Sequence, residues 1–173
     1  MFRAALFTAT GVTLCVRSLQ TYTNPAYQHP VNAADWIAVV SFSVGLLGLA
    51  AALPMFAQLI DGRRVFRVSL IPAAGAALAG VTNILEDGMQ MHDLFIVFVA
   101  SAWLTLVGLI AFTVVVARAG SGRTRLWAAV PAATLVGQML FPVGGGVLML
   151  AAWLAAARLA LQTRTRIVAL ASA

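Results

Sequence analysis

Lysine is absent from this chain of 173 residues, and all eleven of its basic residues are arginines. Without lysine, chemistry that needs a primary amine in a side chain, such as a Schiff base to retinal or another aldehyde, is excluded. Cys15 is the only cysteine, so an internal disulfide and a cluster of thiolate metal ligands are excluded as well. Cys15 lies in an apolar run, where a thiol usually packs as a small hydrophobic residue.

Charged residues are scarce in general. Only 9% of the residues are charged and 62% are hydrophobic, whereas soluble domains have roughly 25% charged residues. This composition predicts an all-α integral membrane protein. Because one span takes roughly 20 apolar residues, the length predicts one transmembrane helical bundle, a single domain over residues 1–173. The bias toward Arg, Ala, Gly and Val is typical of a GC-rich genome, so we expect a multi-pass protein of a bacterial inner membrane.

The motifs of soluble enzymes are missing. The glycines of FPVGGG follow no predicted strand and precede no GK[ST], so they do not form a phosphate-binding loop. His29 and His92 fall in predicted connections, which disfavours haem between the helices. Met89, Met91 and His92 are ligand types that copper(I) accepts, but methionines at a membrane interface are usually packing material. We therefore predict no metal and no cofactor.

Five apolar segments follow one another along the chain, at residues 2–22, 33–60, 65–85, 94–117 and 126–161. The last segment is too long for one ordinary span. FPVGGG interrupts it at residues 141–146, because proline and successive glycines disfavour a continuous helix. We predict two short spans joined by a tight turn, which makes a bundle of six transmembrane helices. The alternative is five spans with one long, kinked C-terminal helix.

The arginines favour six spans over five. If six spans alternate from a cytoplasmic N-terminus, every arginine except Arg17 falls on the cytoplasmic side, in agreement with the positive-inside rule. Five spans would place the C-terminal arginines opposite the basic loops. We therefore predict that both termini are cytoplasmic. The formal charge of +6 indicates topology and no nucleic-acid partner, because no nucleic-acid module is present.

Three of the five acidic residues crowd into NILEDGMQMHD, residues 83–93, on the predicted outer side. Glu86 and Asp87 end the third span, at the negative end of the helix dipole, where acids are disfavoured and need compensation. Arg17 is the basic residue of that half, and it either snorkels outward or pairs with one of the two acids. Ionisable groups inside a membrane indicate function. We therefore assign Glu86 and Asp87 as catalytic candidates and Arg17 as a substrate-binding candidate.

Polar neighbours extend this candidate site. Asn83 shares a stripe of the third span with Ala76 and Gly80, a spacing of small residues that lets another helix approach closely. Gln138 lies near the outer end of the fifth span, at the level of Asn83, and His92 lies in the outer connection. We assign Asn83, His92 and Gln138 as further substrate-binding candidates, in an outward-facing polar pocket bounded by the first, third and fifth spans. Packing alone is the alternative explanation of the small residues.

Three classes of function are consistent with these residues. In the first, the protein binds or acts on a lipophilic small molecule, by acid/base chemistry such as cyclisation or isomerisation, with one carboxyl protonated and the other ionised. The second is a small proton-linked transporter, which would lack the midplane charge where coupling sites usually lie. The third is an accessory or structural subunit of a membrane complex or homo-oligomer. We favour the first class, with the lipid bilayer and the small molecule as partners, and both binding and catalysis remain open.

Overall fold

The computed structural model of the chain describes residues 1–23, 30, 32–60, 62–119 and 122–171. These residues form six α-helices and no strand, as the composition predicts. The helices are α1 Phe2–Thr23, α2 Ala33–Ile60, α3 Arg63–Asn83, α4 Phe95–Ala119, α5 Ala129–Met139 and α6 Gly146–Ala171. A π-helical turn, Ile84–Gly88, follows α3, and 3-10 turns precede α4, α5 and α6 at His92–Leu94, Gly122–Ala128 and Phe141–Val143.

The six helices form a closed ring in chain order. Each helix packs against the next one, and α6 packs against α1. Neighbouring helices run antiparallel, as Arg3 near the start of α1 shows by donating to Oε1 of Gln58, near the end of α2, at 2.9 Å. One end of the ring, the hairpin end, carries the π turn Ile84–Gly88 and the turn Phe141–Val143. The other end, the arginine end, carries the starts of α1, α3 and α5.

The start of α2 is capped by its own residues. The N–H of Asp35 donates to Oδ1 of Asn32 at 3.0 Å, and the N–H of Asn32 donates to Oδ2 of Asp35 at 3.2 Å. This reciprocal pair is the geometry of a capping box, and the carboxylate also lies at the favourable end of the helix dipole. The position of Asp35 at the hairpin end is therefore explained by its role in capping α2.

The close packing of α3 against α4 depends on small residues. A Cβ at Gly75 would lie 2.6 Å from the backbone N of Thr105, and a Cβ at Gly108 would lie 2.6 Å from the backbone N of Pro72. At both points the backbones of α3 and α4 approach so closely that a methyl group has no space, as is common for small residues in membrane helices. On its other side α3 packs against α2, so α3 is held between two helices.

The break predicted at residues 141–146 is present. Helix α5 ends before it, α6 begins at Gly146, and the two helices pack against each other, so this segment is a hairpin and not one long helix. Gly144 has a φ of 91°, in the left-handed region that favours glycine. The buried Ser18 of α1 holds the turn, because its hydroxyl donates to the Phe141 carbonyl at 2.7 Å and accepts from the Gly146 N–H at 3.0 Å.

Among the described residues, four helical segments are long and apolar enough to cross a membrane, namely Ala33–Ile60, Arg63–Gly88, Phe95–Ala119 and Gly146–Thr163. This supports the prediction of a membrane protein. Helix α1 is long enough but rich in threonine and other polar residues. Helix α5 is apolar but has only 11 residues. The prediction of an all-helical membrane protein is confirmed, and six crossings stay a prediction.

Candidate functional site

The ring encloses a cavity of about 290 Å³ near its hairpin end. Phenyl rings form much of its lining: the ring centroid of Phe42 lies 5.3 Å from that of Phe141 and 6.4 Å from that of Phe98. Thr105 and Gln138 contribute polar groups. The Thr105 hydroxyl donates to the backbone of its own helix at 2.9 Å, whereas the Gln138 amide offers both a donor and an acceptor. The cavity is therefore an apolar, aromatic chamber with one amide at its rim.

The cavity extends from the hairpin end toward the middle of the ring. On α4 its lining runs from Phe98 to Leu106, which is about 5 to 17 Å from the start of that helix at 1.5 Å per residue. Met139 of α5 lines the cavity and is 68% exposed, so the cavity is open to the outside of the ring at this residue. Toward the arginine end the core is closed by four fully buried aromatic residues, Phe7, Phe56, Phe112 and Trp153.

Two of the residues predicted from the sequence border this cavity. Gln138 lines it directly. Arg17 lies behind one of its walls, because the guanidinium carbon is 5.8 Å from the centroid of the Phe42 ring, within reach of a cation–π interaction. Arg17 is half-buried. Its positive charge therefore lies close to the aromatic wall of the cavity.

Glu86 and Asp87 lie together in the π turn Ile84–Gly88, and both are half-buried. The turn is wider than an α-helix, since the N–H of Met89 donates to the carbonyl of Ile84, five residues earlier, at 3.1 Å. Turns of this width are common at the C-terminal ends of helices, and this one follows α3. The turn packs against α2, and neither acid is among the residues that line the 290 Å³ cavity. The ion pair between these acids and Arg17 stays a prediction.

Asn83 is buried and bonds to α2. Its Nδ2 lies 2.9 Å from Oγ of Ser43 and 3.4 Å from the carbonyl oxygen of Val39. These bonds connect α3 to α2, which agrees with the alternative explanation that this stripe of α3 serves helix packing. The assignment of Asn83 to ligand binding stays a prediction. The side chain of His92 lies outside the described part of the structure, so its assignment also stays a prediction.

The cavity is more apolar than the polar pocket expected from the sequence, and it is bounded by residues of α1 to α5 instead of three helices alone. Its aromatic residues, Phe42, Phe98 and Phe141, were not predicted from the sequence. In an apolar helix a phenylalanine that faces a cavity has the same local pattern as one that faces lipid, because both surroundings are apolar. The proline and glycines after Phe141 were the one sequence feature that pointed to this region, because they predicted a turn of the chain between α5 and α6.

Met89 and Met91 are exposed, and the part of the chain that the structure describes has no group of three or more His, Cys, Asp and Glu side chains placed to hold a metal ion. The chemistry that the described site offers is therefore that of an apolar chamber with an amide, a nearby guanidinium and a separate pair of carboxyl groups. Comparison of the chain with protein-family models, with curated proteins and with solved structures gives no match.

Proposed function

We propose that the protein binds a lipophilic small molecule in the cavity near the hairpin end of the ring. The observation that carries this proposal is the cavity itself, about 290 Å³ in volume, with an aromatic lining and the Gln138 amide. Small-molecule sites are typically clefts of about 300 to 1,000 Å³ with mostly apolar walls and a few placed polar groups, so this cavity is at the small end of that range. The ligand is expected to be apolar over most of its length.

The depth of the cavity along α4 supports entry from the lipid. Phe98 and Leu106 of α4 line the cavity about 5 and 17 Å from the helix start, so the cavity reaches about the midplane of a hydrocarbon core about 30 Å thick. A ligand that enters at this depth is dissolved in the bilayer. Gln138 is the next-to-last residue of α5, so a polar end group of the ligand would lie near the membrane surface and its apolar part would point toward Thr105.

We also propose that all six helices cross the membrane, with both termini in the cytoplasm and the hairpin end outside. Helix α1 has 22 residues, about 33 Å at 1.5 Å per residue. Helix α5 has 11 residues and is preceded by a 3-10 turn of seven, which together give about 30 Å. These lengths support six crossings in a bacterial inner membrane, and the arginines support the orientation.

Incubation of the purified protein with a lipid extract, followed by washing and mass spectrometry of what remains bound, tests the binding proposal. We expect the wild-type protein to retain one defined apolar species in stoichiometric amount, in addition to the phospholipids of the extract. Retention of nothing but an unselected sample of the bulk lipids would contradict the proposal. In that case the protein is better explained as an accessory subunit. The bond from Asn83 to α2 then serves only packing.

Labelling of single cysteines tests the orientation. In a Cys15→Ala background, Met89→Cys and Val143→Cys are expected to react with a membrane-impermeant maleimide from outside intact cells, because both native side chains are mostly exposed at the hairpin end. Phe2→Cys, which is exposed at the arginine end, is expected to react only after the cells are opened. Reaction of all three positions from one side would contradict six crossings.

The two adjacent carboxyl groups favour a second element of the proposal, namely that Glu86 and Asp87 transfer protons to or from the bound molecule. Both are half-buried at the hairpin end, and adjacent carboxyl groups in different surroundings can take different roles as acid and base. Neither acid lines the cavity. Motion of the ligand or of the π turn would therefore have to bring the bound molecule to the carboxyl groups. Catalysis therefore stands as an extension of the binding proposal.

Amide substitutions test the catalytic element. Glu86→Gln and Asp87→Asn keep the side-chain volume and remove the titratable group, and a general acid or base typically contributes about 10²- to 10⁴-fold to a rate. We expect each variant to slow conversion of the retained molecule, followed by mass spectrometry, by at least about 100-fold. The matched control is Asp93→Asn, an exposed acid of the same segment. If all three variants behave like the wild type, the carboxyl groups have no catalytic role.

A further inference from the structure

A second, smaller cavity lies at the arginine end, far from the aromatic chamber. It has a volume of about 130 Å³ and is lined by Arg64 in the first turn of α3, by Arg118 in the last turn of α4, and by Val115 and Ala119. Both arginines are exposed. The cavity is therefore a notch between two membrane helices, with two guanidinium groups at its rim and small apolar walls.

The charged groups around this notch are the two arginines, the positive end of the α3 dipole and the negative end of the α4 dipole, which Arg118 offsets. Helix α3 begins with Arg63 and Arg64, it has no acid in its first turn, and its N-cap Gly62 supplies no side-chain hydrogen bond. Because the N-terminus of a helix carries partial positive charge, cations are disfavoured there and anions are favoured. Asp61 is the one acidic residue that the sequence places at this end, and it lies outside the described residues.

We propose that this notch binds the headgroup phosphate of an anionic phospholipid. Basic pockets between transmembrane helices are typical sites for anionic headgroups, and arginine forks match phosphate oxygens in pairs. The size of the notch suits a phosphate and its first glycerol atoms, and not an acyl chain. Ile110 and Val114, farther along α4, are 50% and 41% exposed, so an acyl chain can run from the notch along an apolar helix surface.

This site is independent of the aromatic chamber. The notch lies at the last turn of α4, and the chamber begins near the first turn of the same helix. Loss of lipid from the notch is therefore expected to leave retention of the lipophilic molecule unchanged, and the two proposals can fail separately.

Native mass spectrometry of the purified protein, titrated with phosphatidylglycerol or phosphatidylcholine, tests the notch. A surface arginine contributes about fivefold to the binding of an anionic lipid, so the double variant Arg64→Gln/Arg118→Gln is expected to lose about 30-fold in affinity for phosphatidylglycerol. The matched control is Arg3→Gln/Arg158→Gln, which removes two exposed arginines on α1 and α6, away from the notch. This control is expected to change the affinity by less than about threefold, because charge effects are screened beyond a Debye length.

Three results would overturn the proposal. Equal losses in the two double variants would show that phosphatidylglycerol responds to overall charge and has no site. Equal binding of phosphatidylcholine and phosphatidylglycerol by the wild type would show that the arginines do not select an anionic headgroup. Displacement of phosphatidylglycerol by inorganic phosphate at equal concentration would show that the notch is a site for the free anion and not for a lipid.

Discussion

Replacement of Gly108 by alanine is expected to destabilise the protein by about 3 kcal/mol, at the upper end of the cost of overpacking. The added Cβ would lie 2.6 Å from the backbone N of Pro72, and a backbone atom cannot move aside as the tip of a flexible side chain can. Helices α3 and α4 would have to separate along their whole contact. Gly75→Ala, whose Cβ would meet the backbone N of Thr105 at 2.6 Å, is expected to have an effect of similar size.

Unfolding in mixed detergent micelles, followed by circular dichroism, measures this effect. The matched control is Val107→Leu, which also adds one methylene group, at the neighbouring position of α4, where the side chain is 57% exposed. We expect the control to unfold like the wild type, because surrounding lipid or detergent molecules can rearrange around an added methylene group, whereas a packed helix backbone cannot. Similar stability of Gly108→Ala and Val107→Leu would mean that the close approach of α3 and α4 does not hold the ring together.

Replacement of Ala102 by tryptophan is expected to abolish retention of the lipophilic molecule. Ala102 lines the aromatic cavity from α4, and an indole ring there would fill space that the ligand needs. We expect the retained amount to fall at least about tenfold, which corresponds to about 1.4 kcal/mol in binding free energy. The measurement is the quantity of the retained species per protein, by mass spectrometry, at equal protein recovery.

The matched control is Ala100→Trp, two residues earlier on the same helix, at an exposed position outside the cavity lining. It adds the same side chain to the lipid-facing surface and is expected to retain the molecule as the wild type does. Leu106→Trp provides a second blocking variant, because Leu106 also lines the cavity. If both lining variants fold and retain the molecule at the wild-type level, the cavity is not its binding site.

The positions of most helices were predictable from the sequence. Long apolar segments and their polar interruptions determine where a chain can cross a membrane, and the second segment predicted, residues 33–60, coincides with α2. The 3-10 turn Gly122–Ala128 before α5 and the π turn after α3 were not expected, because such local changes of helix winding depend on tertiary contacts.

The site was only partly predictable. Gln138 was singled out because an amide stands out in an apolar helix, and it lines the cavity, while its role in binding stays a prediction. Trp103, which is 63% exposed, and Phe98, which lines the cavity, lie on one apolar helix and look alike in sequence. In water a hydrophobic stripe shows which face is buried, but a membrane removes that signal, because lipid and protein interior are similarly apolar. The aromatic chamber could therefore be seen only in the folded ring.

Photo-crosslinking is the most direct test of the proposal that a lipophilic molecule lies in the aromatic chamber near the hairpin end. A benzophenone amino acid is placed either at Leu106, which lines the cavity, or at Val107, which faces away from it, and the irradiated protein is analysed by mass spectrometry. The proposal predicts that position 106 crosslinks to the retained molecule and position 107 to bulk phospholipid. Crosslinking of both positions to bulk phospholipid alone would contradict it.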